Sequence, residues 1–171
     1  MSNTFFISDT HFGHYGTACK FTREDGTPLR PFKSVEHQDE TLIKNWNTVV
    51  APEDRVYHLG DFCMARRHLD ILHRLNGRIA MVLGNHDPWD KATWAKYPNV
   101  TTLLGSKVYP EHGIICTHIP IHPAQLERRF KWNVHGHLHA HTMGDPRYIN
   151  IAVEQIDYTP ISFDELLRKC K

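Results

Sequence analysis

Short apolar runs alternate with polar stretches along this chain, and the period changes from one half to the other. Thr4-Phe5-Phe6-Ile7 is an apolar run that reads as a buried strand ending at Ser8-Asp9. Residues 14–33 carry Gly, Pro and mixed charge with weak periodicity, a length that marks a lid or binding loop. Ser34 caps a predicted helix to about Thr48 with Val35, Leu42, Ile43 and Trp46 on its buried side. Arg55 to Leu59 is the second strand. A helix over Ala65 to Leu75 follows, with Leu69, Leu72 and Leu75 as its stripe and Asn76-Gly77 as its stop.

Ile79 to Leu83 is a third buried strand, and Asp90 to Lys96 a short helix ending near Pro98. The texture then turns to strands over 100–104, 107–109, 113–116, 133–136 and 148–153. Ser162-Phe163-Asp164-Glu165 is a capping box for a last helix. The first half therefore reads βαβαβ and the second is strand-rich. Together they predict an α/β sandwich of layered sheets with helices outside, and sites at the carboxyl ends of strands.

Composition narrows this picture little. At 171 residues the chain is expected to form one domain, 1–171, able to bury a real core. A net charge of +1 offers no global attraction for long nucleic acid or a membrane. Cys19, Cys63, Cys116 and Cys170 are scattered without a CxxC, which suggests free thiols in a reducing compartment. No signal peptide is apparent, and no apolar stretch approaches the roughly 20 residues of a membrane span. The expected location is the cytoplasm. The Trp residues at 46, 89, 94 and 132 read as core or packing residues.

Candidate chemistry changes the picture more. Among 14 histidines, five short clusters stand where strands should end: Asp9-Thr10-His11, Gly60-Asp61, Gly84-Asn85-His86-Asp87, Thr117-His118 and Gly136-His137-Leu138-His139. Each cluster has a bland alternative. Asp9 and His11 make a short motif that chance supplies easily; on an extended segment both would turn to one side. Asp61 reads equally as a helix cap or as a carboxylate shared by two cations. His118 alone reads as a surface or structural histidine. His135 and His141 extend the last cluster into a histidine-rich stripe of the metal-sequestering kind. The turn at Gly84 is stronger, because an Asn-containing turn leaves His86 beside Asp87 unexplained. Buried imidazoles and carboxylates cost free energy unless compensated, and one pair of divalent ions compensates all five clusters.

The joint order DxH, GD, GNHD, H, GHxH, with the flanking DTHFGH, YHLGDF and THIPIH stretches, resembles the calcineurin-like metallophosphoesterase superfamily. The likeness runs from Asp9 to His139 and is nearest to small single-domain members of bacteria and phages. It implies a four-layer α/β/β/α sandwich with two central mixed sheets. It also implies that Asp9, His11 and His139 hold one metal, that Asn85, His118 and His137 hold a second, and that Asp61 bridges them. His86 would assist the leaving group and Asp87 would orient His86. The reaction implied is hydrolysis of small phosphoesters, nucleotide or cyclic-nucleotide, by a metal-bridging hydroxide. A donor set of N and O suits several divalent ions without deciding between them; the expected cofactor is a pair of Mn²⁺ ions, with Fe²⁺, Zn²⁺, Co²⁺ or Ni²⁺ as alternatives.

Substrate contacts are expected from Arg66, Arg67, His122, His14 and Arg30. The loop at 14–33 carries Lys20, Arg23, Arg30 and Lys33 interleaved with Tyr15, Phe21 and Phe32. His14 and His58 stand near ligands as supporting partners. Two rival readings remain: a nuclease on short or single-stranded nucleic acid, and a non-catalytic scaffold of the same fold. The expected partner is a small phosphoester substrate.

Overall fold

A five-stranded sheet and a four-stranded sheet form the core of the computed structural model, which describes residues 2–171. The first sheet has the order β4-β3-β2-β1-β9. Its strands β1 (Thr4–Ile7), β2 (Arg55–His58), β3 (Arg78–Val82) and β4 (Val100–Leu104) run parallel. Strand β9 (Ile161–Ser162) closes the edge antiparallel to β1. The second sheet has the order β5-β6-β7-β8, built from Lys107–Tyr109, Ile114–Cys116, Trp132–His135 and Tyr148–Asn150. Only β5 is antiparallel there. Two mixed sheets with helices is the architecture expected.

Alternation along the strands decides what each face meets. Phe6 stacks on Tyr57 with centroids 5.5 Å apart, and both rings approach Tyr109 of the second sheet at 6.1 Å. His58, the next residue along β2, instead faces Trp46 of helix α1 (Val35–Val49). The first sheet is thus packed between α1 and the second sheet. The sheets also join end to end. Ser8 and Ala152 form a parallel bridge just beyond β1 and β8, and the Val153 amide donates to the Ser8 carbonyl at 3.1 Å. That junction brings the Asp9 turn against a segment more than 140 residues away.

Several expectations shift in detail. The helix expected over 65–75 is a 3₁₀ helix, Arg66–Arg74. Leu69, Leu72 and Leu75 repeat strictly every three residues, which suits three residues per turn better than 3.6. The helix near Asp90 shortens to α2 (Lys91–Trp94), and the strand expected over 148–153 ends at Asn150. There the Asn150 side chain accepts from the Ala152 amide and donates to the carbonyls of His139 and His141, so the backbone turns. In α1, Gln38 and Asp39 are buried and Val35 only half-buried. Helix α3 (Phe163–Lys169) has the full capping box.

Trp46 and Trp94 are core residues and Trp132 packs against the core. Trp89 is not: 71% of its surface is exposed, contrary to the expectation of packing. No helix among the described residues is long and apolar enough to cross a membrane.

Candidate metal centre

Two loops, one after β1 and one after β2, lie side by side and are zipped together through the backbone. The amides of Asp9, His11 and Phe12 donate to the carbonyls of Gly60, Asp61 and Phe62 at 3.0, 3.1 and 2.8 Å. Thr10 Oγ1 donates to the Phe62 carbonyl and lies 3.0 Å from His58 Nε2, while His58 Nδ1 accepts from the Gly60 amide. Burial lowers the His58 pKa to about 3, so this imidazole is a neutral brace beneath both loops. The supporting role expected of His58 has a geometry here.

The loops are not extended, as the DxH spacing suggested. Asp9, His11, Asp61, His137 and His139 all have positive φ, between 47° and 67°. Five of the seven non-glycine residues with positive φ among those described are therefore candidate ligands. Such conformations persist only where surrounding contacts over-determine them, and they concentrate at functional sites. Close approach completes the scaffold. A Cβ on Gly84 would collide with Asp61, and one on Gly136 would collide with Ser8 Oγ and Asp9 Oδ2.

Two groups of side chains converge in this scaffold with the spacing needed to hold a metal ion: Asp9, His11 and His139, and Asp61, His118 and His137. Asn85 joins the second, its Oδ1 3.1 Å from His118 Nε2. His137 Nδ1 lies 3.3 Å from the same nitrogen. Asp61 Oδ2 stands between the groups, 3.6 Å from His11 Nε2 and 3.3 Å from His118 Nε2. His118 Nδ1 lies 2.8 Å from the Leu59 carbonyl, which can only accept. Nδ1 therefore carries a proton, and Nε2 faces Asn85, Asp61 and His137.

These donors fit divalent cations. Asp9 Oδ1 and both ring nitrogens of His11 are buried without a hydrogen-bond partner. Buried polar atoms are rarely left so, and an ion is one of the partners that satisfies them. Burial raises the Asp9 carboxyl to about 6. For Asp61, burial also pushes upward, but the hydrogen bond and charge of His118 outweigh it and hold the carboxyl well below its usual range. The donors are nitrogen and oxygen alone, the set that suits borderline divalent ions.

Support for the first group comes from residues no motif marks. His139 Nδ1 lies 3.0 Å from Glu154 Oε1, which also accepts from Arg30 Nε at 2.7 Å. Arg30 Nη1 and Nη2 donate to the carbonyls of Thr10 and Asp9, and Nη1 also to Gln38 Oε1. Gln38 Nε2 donates to the His11 carbonyl, and the Asp39 carboxylate accepts the Gly13 amide. Burial favours a neutral Glu154, but Arg30 and His139 outweigh it and bring the carboxyl down to about 2.

Arg30 was expected at the substrate. At 1% exposure with each guanidinium nitrogen hydrogen-bonded, it is instead the clamp that ties the Asp9 loop to the Glu154 turn. Truncating one partner of a buried ion pair strands the other. Arg30→Ala is therefore expected to lower unfolding free energy by about 3–5 kcal/mol, measured by urea denaturation. A loss under about 1 kcal/mol would contradict the clamp.

Asp87 also departs from expectation. Its Oδ2 accepts the amides of Asp61 and Gly84, both at 2.8 Å, and its Oδ1 accepts the Phe62 amide at 2.9 Å. Both oxygens are thus spent on backbone, so Asp87 locks the Asp61 loop to the Gly84 turn rather than reaching the His86 ring. His86 is near the centre: its amide donates to Asp61 Oδ1 at 2.9 Å and its Nε2 lies 3.9 Å from Asp61 Oδ2. The His86 side chain is 42% exposed.

His14 lies beside the centre, its ring 5.7 Å from that of His11. Arg66 is exposed at the rim of a cleft of about 470 Å³ that His86 also lines, and pairs with Asp90 at 3.1 Å. Arg67 and His122 are exposed, and His122 caps the turn Pro123–Gln125 through the Ala124 amide. The histidine stripe is not one site. His135 is buried against the Gly136 carbonyl, and His141 is exposed near Glu24. The 14–33 loop is fastened rather than free, with a turn at Gly16–Lys20, a bridge from Thr22 to Pro28 and Arg30 anchored inside.

A mixed-sheet α/β sandwich carrying two adjoining metal-binding groups at its strand ends is the design of a metal-dependent phosphoesterase. The chain belongs to the calcineurin-like phosphoesterase family, whose model matches residues 3–169. It is 33% identical to uncharacterized protein MJ1445 of Methanocaldococcus jannaschii, over 98% of this chain and 91% of that protein. It is 30% identical to the Gene 66 protein of Mycobacterium phage L5, over 82% and 79% of the two chains. Among solved structures it is similar to AQ665 from Aquifex aeolicus, a protein of unknown function. The TM-score is 0.72 at 28% identity, covering 98% of this chain and 99% of that one.

Proposed function

We propose that this protein hydrolyses small phosphoesters, nucleotides or cyclic nucleotides, with two divalent metal ions. Mn²⁺ is the first to test and Fe²⁺, Zn²⁺, Co²⁺ and Ni²⁺ follow. The observation that carries this reading is the position of Asp61 Oδ2, within 3.6 Å of His11 Nε2 and 3.3 Å of His118 Nε2. One carboxylate so placed serves both groups. Asp9, His11 and His139 would hold one ion, and Asn85, His118 and His137 the other, with Asp61 shared. When bound, the pair would supply Lewis acidity at the phosphate oxygens and an acidified water.

The chain's own residues account for the remaining steps. His86, half-exposed and beside Asp61, is placed to give a proton to the departing oxygen. Its position is set through its own amide on Asp61, while Asp87 holds the two loops in register. His14 is close enough to shape the same mouth. No covalent protein nucleophile is required. The expected location remains the cytoplasm.

The test is a phosphoester panel with added Mn²⁺: mononucleotides, 2′,3′- and 3′,5′-cyclic nucleotides, bis-p-nitrophenyl phosphate and short oligonucleotides. Turnover of small esters that a chelator abolishes and Mn²⁺ restores is the expected result. Silence across the panel with both metals bound would leave a scaffold as the better description. Preference for oligonucleotides would move the reading to a nuclease.

A further inference from the structure

Trp89 stands three residues beyond His86 and exposes 71% of its surface, more than any other large hydrophobic residue among those described. It is also a wall of two clefts. One, of about 470 Å³, is shared with His86, Met64 and Arg66. The other, of about 250 Å³, is shared with Asn85, His118 and Ile119. Met64 and Ile119 are themselves 40% and 53% exposed, so apolar surface flanks the indole on both sides. A cluster of exposed apolar groups at a cleft is usually there to be covered.

The indole sits on a fixed shelf. Trp94 Nε1 donates to the Pro88 carbonyl at 2.6 Å, and Trp94 is buried. Asp90 caps α2 by accepting the Thr93 amide at 2.8 Å, and Arg66 binds Asp90 from across the cleft. The backbone on either side of Trp89 is therefore held while its ring faces solvent. The same pairing offsets the charges of Arg66 and Asp90 at the rim, so the cleft wall that the indole forms carries no net charge from this pair. What it suits is a flat, uncharged ring attached to the phosphate that the metal-binding groups receive.

We infer that Trp89 is the base-stacking platform of this site and that the substrates are phosphoesters of nucleosides. This deepens the phosphoesterase reading above and rests on it for the placement of the phosphate. In the 14–33 loop Phe32 is packed against His37 and Tyr158, and Phe21 against His14; Tyr15 is 62% exposed but lines neither of the two clefts that His86 and His118 line.

Calorimetry on the Mn²⁺-loaded protein tests it, with adenosine 5′-monophosphate and ribose 5-phosphate as probes against wild type, Trp89→Ala and Trp89→Phe. Stacking of one base on an aromatic side chain is expected to make the nucleotide bind roughly tenfold or more tightly than the sugar phosphate. Trp89→Ala should erase that preference, Trp89→Phe should keep most of it, and ribose 5-phosphate should bind all three alike. Because the side chain is exposed, melting temperatures should stay within about 2 °C of wild type.

Equal affinity for the two probes in wild type, absence of nucleotide binding, or a preference that survives Trp89→Ala would overturn the inference. Turnover separates it from the broader reading. A protein that cleaves nucleotide and sugar phosphate with equal kcat/KM keeps phosphoesterase activity and loses the platform. One that prefers the nucleotide through Trp89 but cleaves nothing in the panel keeps the platform and loses the enzyme.

Discussion

Asp61→Asn is expected to empty both metal positions together and to abolish turnover. The substitution keeps size and shape and removes one negative charge from the oxygen pair that faces both groups. Oδ2 is the atom nearest the two imidazoles, at 3.6 Å from His11 Nε2 and 3.3 Å from His118 Nε2. Loss of outer partners alone typically weakens metal binding by roughly 10–100-fold, and a shared inner carboxylate should cost at least the upper end of that range. The fold should tolerate the change, because an Asn oxygen can still accept the His86 amide that Asp61 Oδ1 accepts now. Metal content by mass spectrometry, read beside the melting temperature, checks this. Loss of one metal equivalent with the other retained would mean that Asp61 does not bridge.

His86→Ala is expected to do the opposite: both metals stay and catalysis goes. The His86 side chain lies at the cleft, and the backbone amide that fixes Asp61 survives truncation. A positioned general acid contributes roughly 10²–10⁴ in rate, so kcat should fall by that factor with little change in KM. The loss should be smallest for p-nitrophenyl esters, whose leaving group departs without a proton, and largest for alkoxide leaving groups. A drop in metal content to zero would reassign His86 as a ligand. Equal losses for good and poor leaving groups would remove its role as an acid.

The two variants separate because the side chains have different environments, which the motif GNHD does not reveal. Asn85, His86 and Asp87 are consecutive, yet each does something different. Asn85 joins a metal-binding group, His86 faces the cleft, and Asp87 turns both oxygens to backbone amides of three loop residues. The order of motifs was enough to foresee which histidines gather. His11, His118, His137 and His139 do so, while His135 and His58 serve as buried braces and His141 lies on the surface.

What the sequence by itself determined is the kind of fold and the chemistry of the donors. Apolar runs of four or five residues ending in Asp, Asn or His mark strands that deliver polar groups to one edge, and that signal is local. In the structure β1, β2 and β3 end at Ile7, His58 and Val82, and Asp9, Asp61 and Asn85 follow two or three residues later on the loops they feed. Only the tertiary structure decided which polar residues turn inward and what holds the donors in place. Arg30 reads as a loop cation until Glu154, 124 residues later, is seen against it. Glu154 has no motif at all, and Trp89 looks like any core tryptophan until the shelf beneath it is built. The left-handed backbone at five candidate ligands is likewise invisible in residue order. The physical reason is the same in each case: a side chain's donor chemistry belongs to the residue, but its burial, its partners and the strain it tolerates belong to segments far away in the chain.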